Sequence, residues 1–244
     1  MLLAGDRERV NIAQAIRHAI DANACSVISV SLGYPEMHPW HHVVGAAVDY
    51  AYENGVIIAA EAGATEDHIC YPGKYVRAIG VGGYRGGDSG IYLDYQGLNG
   101  FVDVWAPADP VWRAQTEPDG AFAWSYGYGF CDGTSFATPH VAGAAAMWLR
   151  HRGDALLDKY GGALWKRVEA FRHLLKSTAR DMGALPGFSR IRPKRPDEIA
   201  PPKGLADDDG DFVSGGLDIL ALLKAPLPEI DDGAKAPPAT EQWG

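Results

Sequence analysis

Ser135 stands third in the run G-T-S-F-A-T-P-H-V-A-G, Gly133 to Gly143, which leads directly into Ala144-Ala145-Ala146. Thr134 and Ser135 are good N-cap types and Ala142 to Leu149 is a strong helix former, so a helix is expected to begin close to Ser135. Pro139 falls within its first turn or so, where a missing N–H costs least, and Gly133 lets a second stretch of chain approach the backbone closely. A hydroxyl held there lies beside unpaired backbone N–H groups and the positive end of the helix dipole, an environment that stabilises an oxyanion. That chemistry suits the nucleophile of an acyl transfer. A lone serine at a helix start is more often just a cap, so the weight lies on the whole run rather than on the residue.

Such a nucleophile also needs an imidazole base, a carboxylate to orient it and donors for the tetrahedral oxyanion. His140 lies about a turn and a half along the same helix, where it cannot readily reach back to Ser135, and is expected to be structural. His38, His41 and His42 cluster in H-P-W-H-H. No carboxylate partner or third ligand is suitably spaced, so a solvated loop at the rim of a cleft is expected. The acidic run A-D-D-D-G, Ala206 to Gly210, invites a calcium reading. Aligning Gly210 with the glycine of a calcium-binding helix–loop–helix puts Leu205 at the first ligand position and Gly216 at the twelfth, so an acidic turn is expected instead. Cys25, Cys70 and Cys131 have no metal spacing and indicate no disulfide framework, and the expected metal site is none.

The elements that must position Ser135 follow from periodicity. Val10 to Ala24 places Ile12, Ala15, Ile16 and Ile20 at helical spacing, and Val27 to Leu32 reads as a buried strand. Val43 to Asn54 is helical again and stops at Asn54-Gly55. Further buried strands are expected at Val56 to Ala60, Val76 to Gly82 and Val102 to Trp105, and a further amphipathic helix at Leu164 to Ala179. Alternation of strand and helix predicts an α/β fold in three layers, a mostly parallel sheet with helices on both faces. In such sheets the site lies at the carboxyl ends of the strands, where Gly33, Ala62-Gly63 and the Ser135 helix all fall. Residues 106 to 132 are expected to be loop and hairpin, with Trp112, Phe122, Trp124, Tyr126 and Tyr128 read first as packing and second as substrate wall. Residues 183 to 213 form a long Pro- and charge-rich excursion. The expected division is one domain over 1–224 and a Pro-rich, disordered tail over 225–244.

Composition narrows the partners. The 244 residues are 47% hydrophobic and 22% charged, ordinary for a globular enzyme, and the net charge of −9 argues against nucleic acid or anionic lipid as a partner. No uninterrupted apolar run is long enough to span a bilayer, and Met1-Leu2-Leu3 runs straight into Asp6-Arg7-Glu8-Arg9, unlike a signal peptide. The compartment stays open.

The Ser135 run closely resembles the nucleophile motif of the subtilisin-like serine peptidases. The resemblance extends in family order from about Val10 to Leu223. S-V-I-S-V-S-L-G at Ser26 to Gly33 is similar to the strand leading into the substrate cleft, Ala46 to Ala64 to the next helix, turn and strand, and Y-P-G-K-Y-V-R-A-I-G-V-G at Tyr71 to Gly82 to the strand after that. V-W-A-P at Val104 to Pro107 matches another fixed point, and Ser214 to Leu223 resembles the closing helix. The resemblance implies a serine endopeptidase acting on polypeptides through an acyl-enzyme on Ser135. It also implies that Ser31, Leu32 and Gly33 face Glu61, Ala62 and Gly63 across the primary specificity pocket, with backbone groups that pair with an extended peptide. Glu61 is unusual in such a wall. It could favour Lys or Arg or turn to solvent, and the solvent orientation is the expectation. No cofactor is required; a structural calcium or other cation held by backbone carbonyls would map to Gly73, Tyr75 and Ala78.

Two departures bear on activity. The family order is Asp, His, Ser, and the chain holds neither the family's aspartate motif nor its histidine motif. The resemblance therefore implies the carboxyl-terminal part of a catalytic domain, inactive or weak alone, whose partner would be an amino-terminal segment carrying the Asp and His. The family's A-A-A-G-N is here A-E-A-G-A, Ala60 to Ala64. Ala64 replaces the asparagine that donates to the oxyanion, a loss costing ~10²–10³ in kcat, a value borrowed from a member of that family. A peptide-binding pseudoenzyme that keeps the cleft without the chemistry is the alternative. Family members are often secreted.

Overall fold

A computed structural model describes residues 9–34, 41–63, 70–87, 90–95, 102–118, 124–180 and 215–242. The expectations placed on His38, on Ala64, on Phe122 and on the 183–213 excursion with its acidic run lie outside these residues.

Five strands form the main sheet: β1 (Val27–Val30), β2 (Ile57–Glu61), β3 (Ile79–Gly87), β4 (Gly90–Tyr95) and β5 (Val104–Asp109). β1 and β2 pair in parallel through Val27↔Ile57 to Val30↔Ala60, and β2 continues parallel to β3 through Ala59↔Ile79 to Glu61↔Val81. β5 runs parallel along the other side of β3 from Val81↔Val104, while β4 turns back antiparallel on it. The sheet is thus mostly parallel, as the strand–helix alternation predicts.

Helices cover both faces, and the residues of β2 show why the strands are apolar throughout. Ile57 and Ala59 point into a core with Ala137, Val141, Ala145 and Trp148 of α3 (Thr134–Tyr160) and with Phe171 and Leu175 of α4 (Trp165–Ser177). Ile58 and Ala60 point the other way, into a core with Ile12 and Ile16 of α1 (Arg9–Asp21) and Val44, Ala47 and Val48 of α2 (His41–Glu53). A strand buried on both faces must be apolar at every position, not at alternate ones. Each Val, Ile, Leu or Phe side chain removed from water there contributes roughly 1.5–3 kcal/mol.

A buried ion cluster ties α4 to the sheet. Asp103, immediately before β5, accepts from Arg172 Nη1 at 2.7 Å, pairs with Lys176 at 2.9 Å and accepts from the Gly80 amide at 2.9 Å. Arg172 also reaches Glu169 and donates to the Val76 and Ala78 carbonyls. Burial alone would raise the Asp103 pKa, but the charges of Arg172 and Lys176 outweigh it and hold the carboxyl below its ordinary value. The Ala78 carbonyl, one of the three mapped to a cation site, is therefore occupied by a guanidinium.

Two expectations need correction. β6 (Val111–Pro118) and β7 (Trp124–Cys131) form a hairpin of their own, with Trp112↔Phe130, Ala114↔Tyr128, Thr116↔Tyr126 and Pro118↔Trp124 as cross-strand partners. Partners of this kind share a face, so Trp112, Trp124, Tyr126, Tyr128 and Phe130 line one side, and they are 59% to 82% exposed. They are not core packing: the hairpin is a separate sheet, and its aromatics stack chiefly on one another, Trp112 lying 4.7 Å from Phe130 and 6.2 Å from Tyr128 between centroids.

The second correction is the tail. Beyond α5 (Ile219–Lys224), residues 225–242 return across α2 and α4 instead of being disordered. Arg77 donates twice to the Ala236 carbonyl, and Asp49 accepts from the Ala239 amide, the Thr240 amide and the Thr240 hydroxyl. Tyr52 accepts from the Ala236 amide, and Ala239 is fully buried. Polar groups on the folded body supply what the tail's few apolar residues do not.

Candidate active site

β1 and β2 end side by side, so Ser31-Leu32-Gly33, which follows β1, and Glu61-Ala62-Gly63, which begins with the last residue of β2, form adjacent walls at the carboxyl edge of the sheet. The expected pocket residues are therefore brought together. Tyr34 and Tyr71 exchange backbone hydrogen bonds at 3.2 and 3.1 Å and close the far end. Gly33 is required by close approach: a side chain there would place its first carbon 2.3 Å from Cys70 Cβ and 3.3 Å from Glu61 Oε1. Gly73 is required for the same reason, because a Cβ would fall 2.3 Å from the Glu61 carbonyl oxygen. Gly63 has φ +99°, a conformation glycine adopts without strain.

Ser135 enters from below on the first turn of α3. Gly133, at φ +122°, makes the turn into the helix after its amide bonds the Ala108 carbonyl at the end of β5. The helix starts at Thr134, close to Ser135 as expected, but its N-cap is Gly133 and no side chain caps it; the N–H groups of its first turn have no carbonyl of the helix to bond. Pro139 lies four residues after Ser135 and lacks the N–H that would bond the Ser135 carbonyl. The Ser31 hydroxyl takes that place, donating to the Ser135 oxygen at 2.8 Å. One wall is thereby fixed to Ser135.

The other wall touches Ser135 directly. The Ser135 hydroxyl donates to Glu61 Oε2 at 2.6 Å, with the Ser31 carbonyl oxygen at 3.5 Å. A distance of 2.6 Å is that of a charge-assisted bond to a carboxylate. Glu61 does not turn to solvent, which corrects the sequence expectation. Glu61 is the last residue of β2, and its side chain is directed over the serine. Its charge is felt at Cys70: burial first, and the Glu61 charge second, raise the thiol above its ordinary pKa. The contact joins positions 74 apart in the chain. Only the replacement of a small residue by Glu in A-E-A-G-A marked it in the sequence.

His140 is accounted for within its helix, its Nδ1 lying 2.9 Å from the Phe136 carbonyl oxygen. Among the described residues no imidazole bonds the Ser135 hydroxyl, and no group of three or more His, Cys, Asp or Glu could hold a metal ion. No helix among them is long and apolar enough to cross a membrane.

A family model described as the Subtilase family matches residues 2–199. Subtilisin amylosacchariticus of Bacillus subtilis subsp. amylosacchariticus is 33% identical over 167 residues, covering 66% of this chain and 38% of the relative. Subtilisin E of Bacillus subtilis is likewise 33% identical over 167 residues, with the same coverage. The chain thus spans well under half the length of these curated relatives. Among solved structures, the prenylagaramide maturation protease PagA superposes with a TM-score of 0.57 at 22% identity, over 92% of this chain and 70% of that one. A protease from Pseudoalteromonas arctica gives 0.64 at 22%, over 88% and 58%.

Proposed function

Because the chain belongs to the subtilase family, we propose that it carries the nucleophile of a serine endopeptidase, with Ser135 forming an acyl-enzyme during hydrolysis of a peptide bond. The observation that supports this best is the seat of Ser135. Its hydroxyl stands at the first turn of α3, between two strand-end walls that offer backbone to an extended peptide. In the proposed reaction the Ser135 oxygen bonds to the substrate carbonyl carbon while an imidazole takes the hydroxyl proton and passes it to the departing amine. Water then cleaves the ester, and the proton returns to Ser135. First-turn amides of α3 face the forming oxyanion. The imidazole and its orienting carboxylate would come from a family-type amino-terminal segment, in the same chain or a separate one.

A peptide-binding pseudoenzyme is the second reading, and one observation favours it. Glu61 occupies the Ser135 hydroxyl, which in a working triad donates to imidazole. A polypeptide such as casein, added to this chain together with a family-type segment bearing Asp and His, separates the two. Cleavage that disappears in Ser135→Ala supports the peptidase; retention of bound peptide without cleavage supports the pseudoenzyme.

A further inference from the structure

We propose that Glu61 is a specificity carboxylate, and that the pocket between 31–33 and 61–63 takes a cationic side chain, Lys or Arg, on the residue whose carbonyl Ser135 attacks. The proposal rests on reading those two segments as the pocket beside the nucleophile, and deepens it.

Glu61 is half-buried, and among the described residues its side chain bonds only the neutral Ser135 hydroxyl, with no Lys, Arg or His paired to it. The described cations that follow Glu61 most closely in the chain are engaged elsewhere: Lys74 Nζ lies over the Tyr71 ring at 5.6 Å, and Arg77 bonds Asp49, Glu53 and Ala236. A partly desolvated carboxylate with a single neutral donor is the arrangement in which an added cation gains most.

Position supplies the second step. The carboxylate reaches from β2 to Ser135 on one side and lies against Gly33 and Cys70 of the opposite wall on the other. A substrate residue bonded through its carbonyl carbon to Ser135 must direct its side chain past this group. An apolar side chain would strip water from the carboxylate and give nothing back, which is unfavourable. An ammonium or guanidinium replaces that water with a charge-assisted hydrogen bond and draws Glu61 away from Ser135. The hydroxyl is then free to donate to an incoming base, so a cationic substrate both fits the pocket and releases the nucleophile.

The direct test measures binding to the full chain, without hydrolysis. The probes are benzamidine, an aryl amidinium cation, and benzamide, its neutral analogue of nearly the same shape. Benzamidine is expected to bind roughly tenfold or more tightly than benzamide, and Glu61→Gln to remove that difference while leaving benzamide unchanged. Glu61→Lys guards against simple misfolding, because it should reject benzamidine and gain preference for benzoate, an inversion that loss of structure cannot produce. Equal binding of benzamidine and benzamide by the unaltered chain, or benzamidine selectivity that survives Glu61→Gln, would overturn the proposal. Because no bond is cleaved, the outcome is independent of whether Ser135 proves to be a working nucleophile.

Discussion

Ser135 carries no reactivity by its identity alone; its chemistry depends on what accepts its proton and what meets the oxyanion. Glu61 takes up the first of these here, and the proposed oxyanion position holds Ala64. In a complemented protein, Ala64→Asn is expected to raise kcat by up to ~10² with little change in KM, because the added amide meets an oxyanion that exists only near the transition state. Steady-state kinetics on a single peptide substrate checks this, and equal kcat in both versions would show that another donor fills the hole. Glu61 illustrates how far a side chain can be read from sequence. Its presence in a pocket wall was visible, but its direction was not. That direction follows from where β2 ends relative to α3, a relation between positions 74 residues apart that no local pattern contains.

At the scale of elements, α4 is held to the sheet by charge as well as by Phe171 and Leu175. Arg172 and Lys176 keep Asp103 ionised in a buried site, and removing one member leaves an uncompensated charge, at a cost of roughly 3–5 kcal/mol. The sign of the pH dependence follows from the lowered Asp103 pKa. The folded state holds the proton less tightly than the unfolded chain, whose carboxyl titrates near 3.8. The contribution is therefore fully present above that value and is lost as pH falls through the lower folded value. Urea midpoints measured between neutral and acid pH are expected to fall on the acid side, and Asp103→Asn to be less stable at neutral pH with a flatter acid limb. An unchanged acid limb would remove Asp103 from the account. The buried strands and amphipathic helices were legible because each is a run of local pattern. The β6–β7 hairpin matches the expected loop and hairpin, but its aromatics are exposed where packing was expected. Alternating aromatics announce a strand with one apolar face, but not whether another layer covers that face.

For the whole molecule, residues 225–242 give the clearest contrast between composition and structure. Their prolines and scattered charges bury little apolar area, which is why disorder was expected. What holds them is polar and distant, since Arg77 and Asp49 are satisfied by tail groups about 160 to 190 positions away. Deleting 225–244 strips the Ala236 carbonyl from a buried guanidinium and three donors from Asp49. A loss of about 3 kcal/mol, or roughly 6–12 °C in thermal midpoint, is expected. The same deletion should release Tyr160, whose phenol donates to Pro228 and is pushed up to about 12, first by burial and then by Glu229. Its titration, followed by ultraviolet absorbance, should move back toward 10. A midpoint and titration both unchanged would show that the tail's contacts contribute nothing.

The claim on which everything else depends is that Ser135 is a positioned nucleophile awaiting a base. The most direct measurement is the rate at which a fluorophosphonate probe forms an adduct on Ser135, located by peptide mass spectrometry. The chain is compared alone and with a family-type segment carrying Asp and His. A serine hydroxyl without an imidazole is a weak nucleophile, and the helix dipole does not replace a base. The account therefore predicts slow labelling alone, rapid labelling with the segment, and none in Ser135→Ala. Rapid Ser135 labelling of the chain by itself would contradict it, and loss of that labelling in Glu61→Gln would make the carboxylate at 2.6 Å the base.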